Sequence, residues 1–581
     1  MYIGVLIKCV KRQNKVFDNS KPSCFEINKS DMFSLENALK VKDKVKCKVC
    51  VITVGAPAVN KIIQKLYNFG VDKVIVVSDN DIAGSDTFAT STVLSKVIDK
   101  ENIDLIFTGK ESSDSATAQV GPQLAAMLNC NLACNVSSIE CSNDLTNAIC
   151  VFEESGKIYK VNYSLPLVVV TGLNVNVLRV PKIADFISSQ KKHVDVLNLE
   201  KLSLDARLCG IEGSYTKVIN IEDIIIKDKG GTLIDDIDSF IINKIKRIKN
   251  NVEKNDVLSS CVDAKYKKLK IYIIGDPYNE FAKESFKRVI SYFSVIGDVS
   301  ILLFKEYTDL SDELLTSGAT EIYNTDVVRN SIDYLMIGKK IANILTKINS
   351  KYVLLISSTF TRVIAPIIAT YLKTGLTADC SDITFNENGF MEMTRPTFGD
   401  SKKATIICHK TNPQMATIRQ SCFLGNYRRN IISAPKVIKL NSDVVENVNE
   451  FTILNVDKIS QLEWNKDVIL IAGGGLDKEN TLKLLKICTK LQIDFGVTRV
   501  VVDKGIVDHK YQIGQTGESV AHKLCIMFGV SGAIEHTVGI SKRSEIISVN
   551  IDENCELNKI SDFYAIADAN EVITRLGDKI L

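Results

Sequence analysis

Gly121–Ile139, GPQLAAMLNCNLACNVSSI, and Ala365–Ile383, APIIATYLKTGLTADCSDI, align without a gap. Pro122, Leu128, Leu132 and Ile139 meet Pro366, Leu372, Leu376 and Ile383 at one constant offset. Each segment follows a strand-like apolar run, LIFTG at Leu105–Gly109 and YVLLIS at Tyr352–Ser357. A match of this kind marks two related domains. No third copy follows Ala434, so the chain holds a pair and not a solenoid array.

Outward from the first copy the sequence alternates between strand and helix patterns. IGVLIKCV (3–10), CVITVG (50–55), DKVIVVS (72–78) and IDLIFTG (103–109) read as strands. SLENALKVKD (34–43), APAVNKIIQKLYNFG (56–70) and a segment through Thr92 and Val97 read as helices. Such alternation predicts a parallel sheet with helices on both faces, and ligands at the carboxyl ends of its strands, here the loops after Val10, Gly55 and Gly109. The second copy opens near Lys268 with KIYIIGD, mirroring the start of the first.

Two loops have the composition of phosphate sites. Gly109 to Gln119, GKESSDSATAQ, is small and donor-rich and leads into a helix starting near Pro122. It suits a nucleotide phosphate, and equally an ordinary helix cap by Asp114 or Ser115. Further on, VILIA at Val468–Ala472 is followed by Gly473, Gly474 and Gly475 and a helix-like segment through Asp477, Glu479 and Leu484. A strand, a tight turn and a helix N-terminus can cradle an anion or serve as a plain turn.

Composition narrows the classes. A chain of 581 residues exceeds one core, and a net charge of +3 argues against a dedicated nucleic-acid binder. Sixteen cysteines without framework spacing fit free thiols in a reducing compartment. Cys47 and Cys50, a lone CxxC running into CVITV, read as strand residues, and Cys488 and Cys525 as core. The longest apolar runs, such as LPLVVV (165–170), are strand-sized, so no integral membrane segment is expected. The N-terminus enters a strand without a signal-peptide pattern, and a cytoplasmic location is the expectation. Between the copies, Ile219 to Lys254 mixes short apolar runs with Gly230-Gly231 and a Lys-rich helix in which Phe240, Ile241, Ile245 and Ile248 recur at burying spacing. His193, His409, His509 and His522 have no surroundings that suggest a role.

Several ordered motifs carry a resemblance. IGVLIKCV, SLENALKVKD, FGVDKVIVVSD, DLIFTGKESSDSATAQVGPQLA and LRVPKIADFISSQKKHVDVL resemble the beta subunit of electron-transfer flavoprotein. TGLTADCSDI, TRPTFGD, NPQMATIRQ, GVTRVVVDKGIV, IGQTGESVA, SGAIEH and FYAIADANEVI resemble its alpha subunit. The likeness covers essentially the whole chain and reads as a fusion, beta first. It implies an α/β fold with two related nucleotide-binding-type parallel-sheet domains plus a C-terminal doubly wound, Rossmann-like FAD-binding domain. The expected divisions are 1–215 (beta-like), 216–267 (connecting arm), 268–435 (alpha N-terminal-like), 436–460 (linker) and 461–581 (FAD domain). The arm is expected to wrap towards the FAD domain, leaving the tethered chain complete as a monomer.

What the resemblance implies about sites follows residue by residue. For FAD it points to Gly474, Thr498, Ile513, Gly514, Gln515, Thr516, Ser531, Gly532, Ala533, Ile534, Glu535, His536, Asn550, Asp568 and Ala569. Thr516 is expected near the flavin N5, His536 at the N1 and O2 edge where reduction adds negative charge, and Asp568 at the adenosine portion. For a first-domain nucleotide it points to Leu6, Asn28, Asp31, Val54, Gly109, Lys110, Asp114, Thr117, Gln119 and Val120. That nucleotide is AMP in most members and a second FAD, with NADH beside it, in electron-bifurcating ones. The partners implied are a flavin-containing dehydrogenase, met by Ile183 flanked by Arg179, Lys182, Lys191 and Lys192, and an electron-accepting oxidoreductase. Two departures stand out. Gly474 replaces an arginine usual in the glycine turn, which predicts a lower flavin potential unless Lys478 or Arg499 substitutes. Asp114-Ser115-Ala116-Thr117 lacks the second carboxylate of the bifurcating DGDT pattern, which favours AMP.

Overall fold

The computed structural model describes residues 2–11, 24–173, 175–224, 229–250, 269–278, 280–329, 331–397, 402–423, 435–444, 450–458, 466–514, 517–518, 520, 522–537, 539–541 and 544–581. Gln515, Thr516 and residues 251–267 lie outside the described residues, as do the side chains of Ile534 and Glu535.

The two copies share one strand order. In the first, Asp195–Leu197, Lys73–Val77, Lys48–Val54, Tyr2–Leu6, Leu105–Gly109, Leu167–Thr171 and Asn131–Cys141 lie side by side and parallel. In the second, the same places are taken by Lys436–Leu440, Glu321–Thr325, Asp298–Leu303, Lys270–Ile274, Tyr352–Ile356, Gln414–Ile418 and Leu376–Cys380. These strands are nearly continuous apolar runs, as a sheet covered on both faces requires. Matching backbone kinks support the duplication: Asn129 and Lys373 close equivalent helices at φ 51° and 50°, and Asn135 and Asp379 take φ 56° and 57°.

The elements follow local chemistry. The first helix runs Lys29–Lys44, longer than the apolar pattern suggests, with Asp31 in its first turn and Lys42 and Lys44 in its last, both favourable to the helix dipole. Helix Thr359–Tyr371 starts on a capping box between Ser358 and Thr361. The predicted single helix over 56–70 is instead a string of short turns, Pro57–Val59, Asn60–Ile63 and Gln64–Phe69, ended by Gly70 at φ 90°.

The halves exchange strands. Thr216–Asp223, which follows the first copy, pairs antiparallel with Lys402–Cys408 of the second. Phe451–Lys458, which follows the second copy and falls in the expected linker, pairs antiparallel with Lys157–Ser164 of the first. The two crossing strands are themselves a repeat, VINIED at 218–223 and ILNVDK at 453–458, and each slips register at the same place, around Ile219 and Leu454. One apolar core runs through both copies, with Leu124 and Ala125 of helix Val120–Leu128 in the same cluster as Ile364 and Ile368 of helix Thr359–Tyr371.

The C-terminal sheet is parallel throughout, in the order Thr232–Leu233, Phe563–Ile566, Glu545–Asn550, Leu524–Phe528, Val468–Ala472 and Asp494–Val497. Its edge strand comes from the arm. Helix Ile237–Asn250 follows and buries Ile241 and Ile245 in the C-terminal core, with Phe240 and Ile248 packed at its margin. Asp238 meets Arg575 and Lys579, and Lys244 meets Glu545. The arm thus docks on the C-terminal domain. Cys488 and Cys525 are buried there, as their apolar neighbours led one to expect. No helix among the described residues is long and apolar enough to cross a membrane.

Candidate functional site

At the carboxyl edge of the C-terminal sheet, Gly473 follows strand Val468–Ala472 and donates its N–H to the Phe528 carbonyl at 2.8 Å. A Cβ on Gly473 would overlap the Gly529 carbonyl, so the triplet is required first by the close passage of two strand ends. Helix Lys478–Leu491 then starts on an Asp477 cap to the Asn480 N–H.

Around this turn stand most of the expected FAD residues. Thr498 follows strand Asp494–Val497, is buried, and its Oγ1 has no hydrogen-bond partner. Ile513 donates its N–H to the Val497 carbonyl, and Gly514 takes φ 132°. His536 is buried, with Nδ1 2.9 Å from the Ile513 carbonyl and Nε2 without a partner. Facing a carbonyl, Nδ1 carries the hydrogen. Nε2 of the neutral ring is then an acceptor, and burial holds the imidazole pKa below its ordinary value. His536 therefore becomes a donor at Nε2 only when a negative charge beside it draws in a proton, a condition that the sequence did not reveal.

The remaining expected contacts are held in place by groups the sequence reading missed. Asn550 Nδ2 donates to the Val530 carbonyl at 2.9 Å, and Cys555 Sγ lies 3.2 Å from the Ser531 carbonyl, fixing the turn that carries Ser531, Gly532 and Ala533. Asp568 caps helix Ala569–Ile580 through the Asn570 N–H, and Asn570 Nδ2 reaches back to the Gly475 carbonyl at 3.2 Å. The D-x-N pattern before a helix was a legible cap signal; Cys555 had none. At Gly474 the carbonyl accepts a hydrogen bond from Lys504 Nζ at 2.9 Å. Arg499 pairs with Asp503 at 3.4 Å, and Lys478 is exposed at a helix start.

Two buried polar atoms without partners, beside a glycine turn and in a cradle of small residues, are what a flat heteroaromatic cofactor with polar edges would satisfy. FAD fits these residues.

In the first domain, Leu6, Val54 and Gly109 end three neighbouring strands, and Val120 begins the helix behind the loop. Asn28 Nδ2 donates to the Glu111 carbonyl at 2.9 Å, and Asn28 Oδ1 accepts from the Ser113 N–H at 3.2 Å. Asp31 is buried, accepts from the Lys8 N–H at 2.7 Å and presses on Gly109, where a Cβ would overlap its carboxylate. Burial raises its pKa to about 7. Asp114 pairs with Lys8 Nζ at 2.7 Å, and burial lowers the Lys110 pKa. Ala116 and Ala118 take φ 45° and 55°, and Gln119 after them is right-handed, a change of hand of the kind that gathers backbone N–H groups into an anion-binding concavity. Thr117 lies between them, half-buried. Gln119 is committed elsewhere, accepting from Thr87 Oγ1 at 2.5 Å and donating to the Leu376 carbonyl at 3.1 Å across the interface between the copies.

The expected docking residues divide. Ile183, 80% exposed, opens helix Ile183–Ser189 beside exposed Val180, Phe186 and Ile187, and Lys191 is exposed too. Arg179 and Lys192 instead turn inward. Arg179 pairs with buried Glu36 and with Asp43, while Lys192 donates to the Val71 carbonyl over the Tyr67 ring.

A further cluster escaped the sequence reading. Buried Arg329 grips Asp276 through two bonds of 2.7 and 2.6 Å, stacks on Phe360 and reaches Ser155 and Glu154 of the first domain. Asp276 sits just past strand Lys270–Ile274, the place where this sheet type holds ligands, so the second copy fills that place with an ion pair.

Comparison with known proteins gives the same picture. The family described as electron transfer flavoprotein domain matches residues 23–202 and 297–438, and the electron transfer flavoprotein FAD-binding domain matches 464–541. Electron transfer flavoprotein subunit alpha of Thermoanaerobacterium thermosaccharolyticum is 32% identical over 289 residues, 48% of this chain and 86% of that protein. Subunit beta of the same organism is 31% identical over 258 residues, 43% of this chain and 98% of that protein. Protein FixB of Rhizobium meliloti is 36% identical over 230 residues, 39% of this chain and 65% of that protein. With both subunit types aligned to one polypeptide, beta-like first and alpha-like second, this chain belongs to the electron transfer flavoprotein family.

Proposed function

We propose that the chain is a carrier that takes electrons from a flavin-containing dehydrogenase, for example one of the acyl-CoA type, and hands them singly to an oxidoreductase, with FAD in the C-terminal domain and AMP in the first. The observation that carries this reading is the pair of unpartnered buried atoms, Thr498 Oγ1 and His536 Nε2, beside the glycine turn. FAD, when bound, supplies the one-electron chemistry. The protein contributes placement. Thr498 offers a hydroxyl and His536 a basic nitrogen whose proton uptake follows added negative charge, while Lys504 holds a positive charge at the turn. Ile183, Phe186 and Ile187 offer an apolar knob for the dehydrogenase, a fit for a transient interface. The change of hand after Ala116 and Ala118 supports a nucleotide phosphate in the first domain.

Flavin and nucleotide counting on the purified chain, followed by addition of NADH, tests the reading. One FAD and one AMP per chain, with no bleaching by NADH, is the expected result. Two flavins per chain with rapid bleaching would replace it with an electron-bifurcating, NADH-dependent enzyme.

A further inference from the structure

Helix Lys29–Lys44 touches both of the first domain's candidate surfaces. Its start grips the nucleotide loop: Asn28 bonds to Glu111 and Ser113, and Ser30 Oγ accepts from the Lys110 N–H at 2.9 Å. Its middle grips the docking loop. Asn176 Nδ2 donates to the Phe33 carbonyl at 3.0 Å and to Asn37 Oδ1 at 2.8 Å. Glu36, 4% exposed, receives three bonds from one residue: the Arg179 backbone N–H at 3.1 Å, Nε at 3.0 Å and Nη2 at 3.1 Å.

Leu35, Ala38 and Leu39 of this helix pack into the core, and Glu36 is buried beside them along with the polar Ser34 and Asn37. An apolar side chain at position 36 would pack there without desolvating a carboxylate. The bond to the Arg179 backbone fixes the path of the chain just before Val180 and Ile183, the exposed end of the knob. Between Asn28 and Glu36 the helix rises about 12 Å, two rigid turns at 1.5 Å per residue. A ligand that stiffens the nucleotide loop stiffens the helix start through Asn28 and Ser30, and the same helix holds the docking loop.

We propose that helix Lys29–Lys44 couples the first-domain nucleotide site to the docking loop, with Glu36 as the positioning residue through which nucleotide occupancy sets the shape of the Val180–Ile187 surface. The coupling rests on the nucleotide and docking readings given above. It is reciprocal: a bound dehydrogenase tightens the nucleotide by the factor by which the nucleotide tightens the dehydrogenase.

Hydrogen–deuterium exchange on the full, flavin-loaded chain, stripped of nucleotide and then refilled with AMP, tests it. AMP is expected to slow exchange over residues 176–187 about tenfold, and to tighten binding of an acyl-CoA-type dehydrogenase within the usual coupling range of about 5–150-fold. In Glu36→Gln, which keeps the side-chain shape, both effects of AMP are lost while AMP still binds. Glu36→Leu, the apolar side chain that would pack there, removes the acceptor of the Arg179 backbone N–H outright and repeats the result should Glu36→Gln fold poorly. Equal exchange and equal dehydrogenase affinity with and without AMP in the unmodified chain, with AMP uptake verified by calorimetry, overturn the coupling. The readings beneath it fail separately: no AMP uptake removes the nucleotide site, and unchanged transfer in Ile183→Ala removes the docking surface, and either takes the coupling with it.

Discussion

At Gly474 the backbone does two things an arginine could not both keep: it leaves room for Val500, whose Cγ1 lies 2.9 Å from where a Cβ would stand, and its carbonyl takes the Lys504 ammonium. The cation bonded to this carbonyl is thus a lysine on a flexible stem. A lysine so placed stabilises added negative charge less than a fixed guanidinium would. Gly474→Arg is expected to raise the flavin's one-electron potential by about 60 mV, the equivalent of a tenfold shift in a one-electron equilibrium. Lys504→Met is expected to lower it, and potentiometric titration reads both. His536 gives a second outcome. Its folded pKa lies below the ordinary value of 6.5, so below that pH the unfolded chain binds a proton that the folded chain does not, and stability falls as pH drops. Asp31, raised to about 7, acts in the opposite direction over the same range, so the expected outcome is a difference: thermal melts of flavin-free His536→Gln should lose less melting temperature, or gain more, between pH 7 and pH 5.5 than the unmodified chain.

Among the elements, the parallel strands and the helices between them were legible because apolar runs and turn residues are local signals. The duplication was legible for the same reason. Most of the glycine turn's neighbours could be named from motifs, yet Lys504, Cys555 and the Arg329–Asp276 pair could not. Their partners are distant in sequence, and a lysine in GVTRVVVDKGIV or an arginine after a strand reads first as solvated. The crossing strands were hidden differently. VINIED and ILNVDK each hold three apolar residues that stay exposed in the structure, and such a pattern does not say which sheet a strand joins. The proposed docking element was expected from a motif, and the structure separates exposed Ile183, Phe186 and Ile187 from the inward-turned Arg179 and Lys192. Ile183→Ala should slow electron transfer from the dehydrogenase about tenfold with FAD content unchanged, as stopped-flow kinetics would show, since a central apolar anchor at an interface contributes upwards of 1 kcal/mol.

On the scale of the whole molecule, each half completes a sheet of the other, and the arm completes the C-terminal sheet. The covalent tether is therefore one of several links. A protease site inserted at residues 255–260, outside the described residues, should leave the cut halves co-eluting in size-exclusion chromatography at micromolar concentration. The tether supplies effective concentration and not contacts, so separation should come only on dilution. Arg329→Met in the cut protein should hasten it, because Asp276 and Glu154 would be left as buried carboxylates without their cation, at a cost of about 3–5 kcal/mol.

The exchanged strands also bear on how the protein is made. Strand Lys157–Ser164 leaves the ribosome long before its neighbour Phe451–Lys458. At 5–20 residues per second the interval is roughly 15–60 s. For that time the nascent first domain carries an open sheet edge whose partner has not been synthesised, and in a two-subunit arrangement the same edge would wait on a separate polypeptide. Fusion turns that wait from a search for another molecule into a fixed delay set by translation.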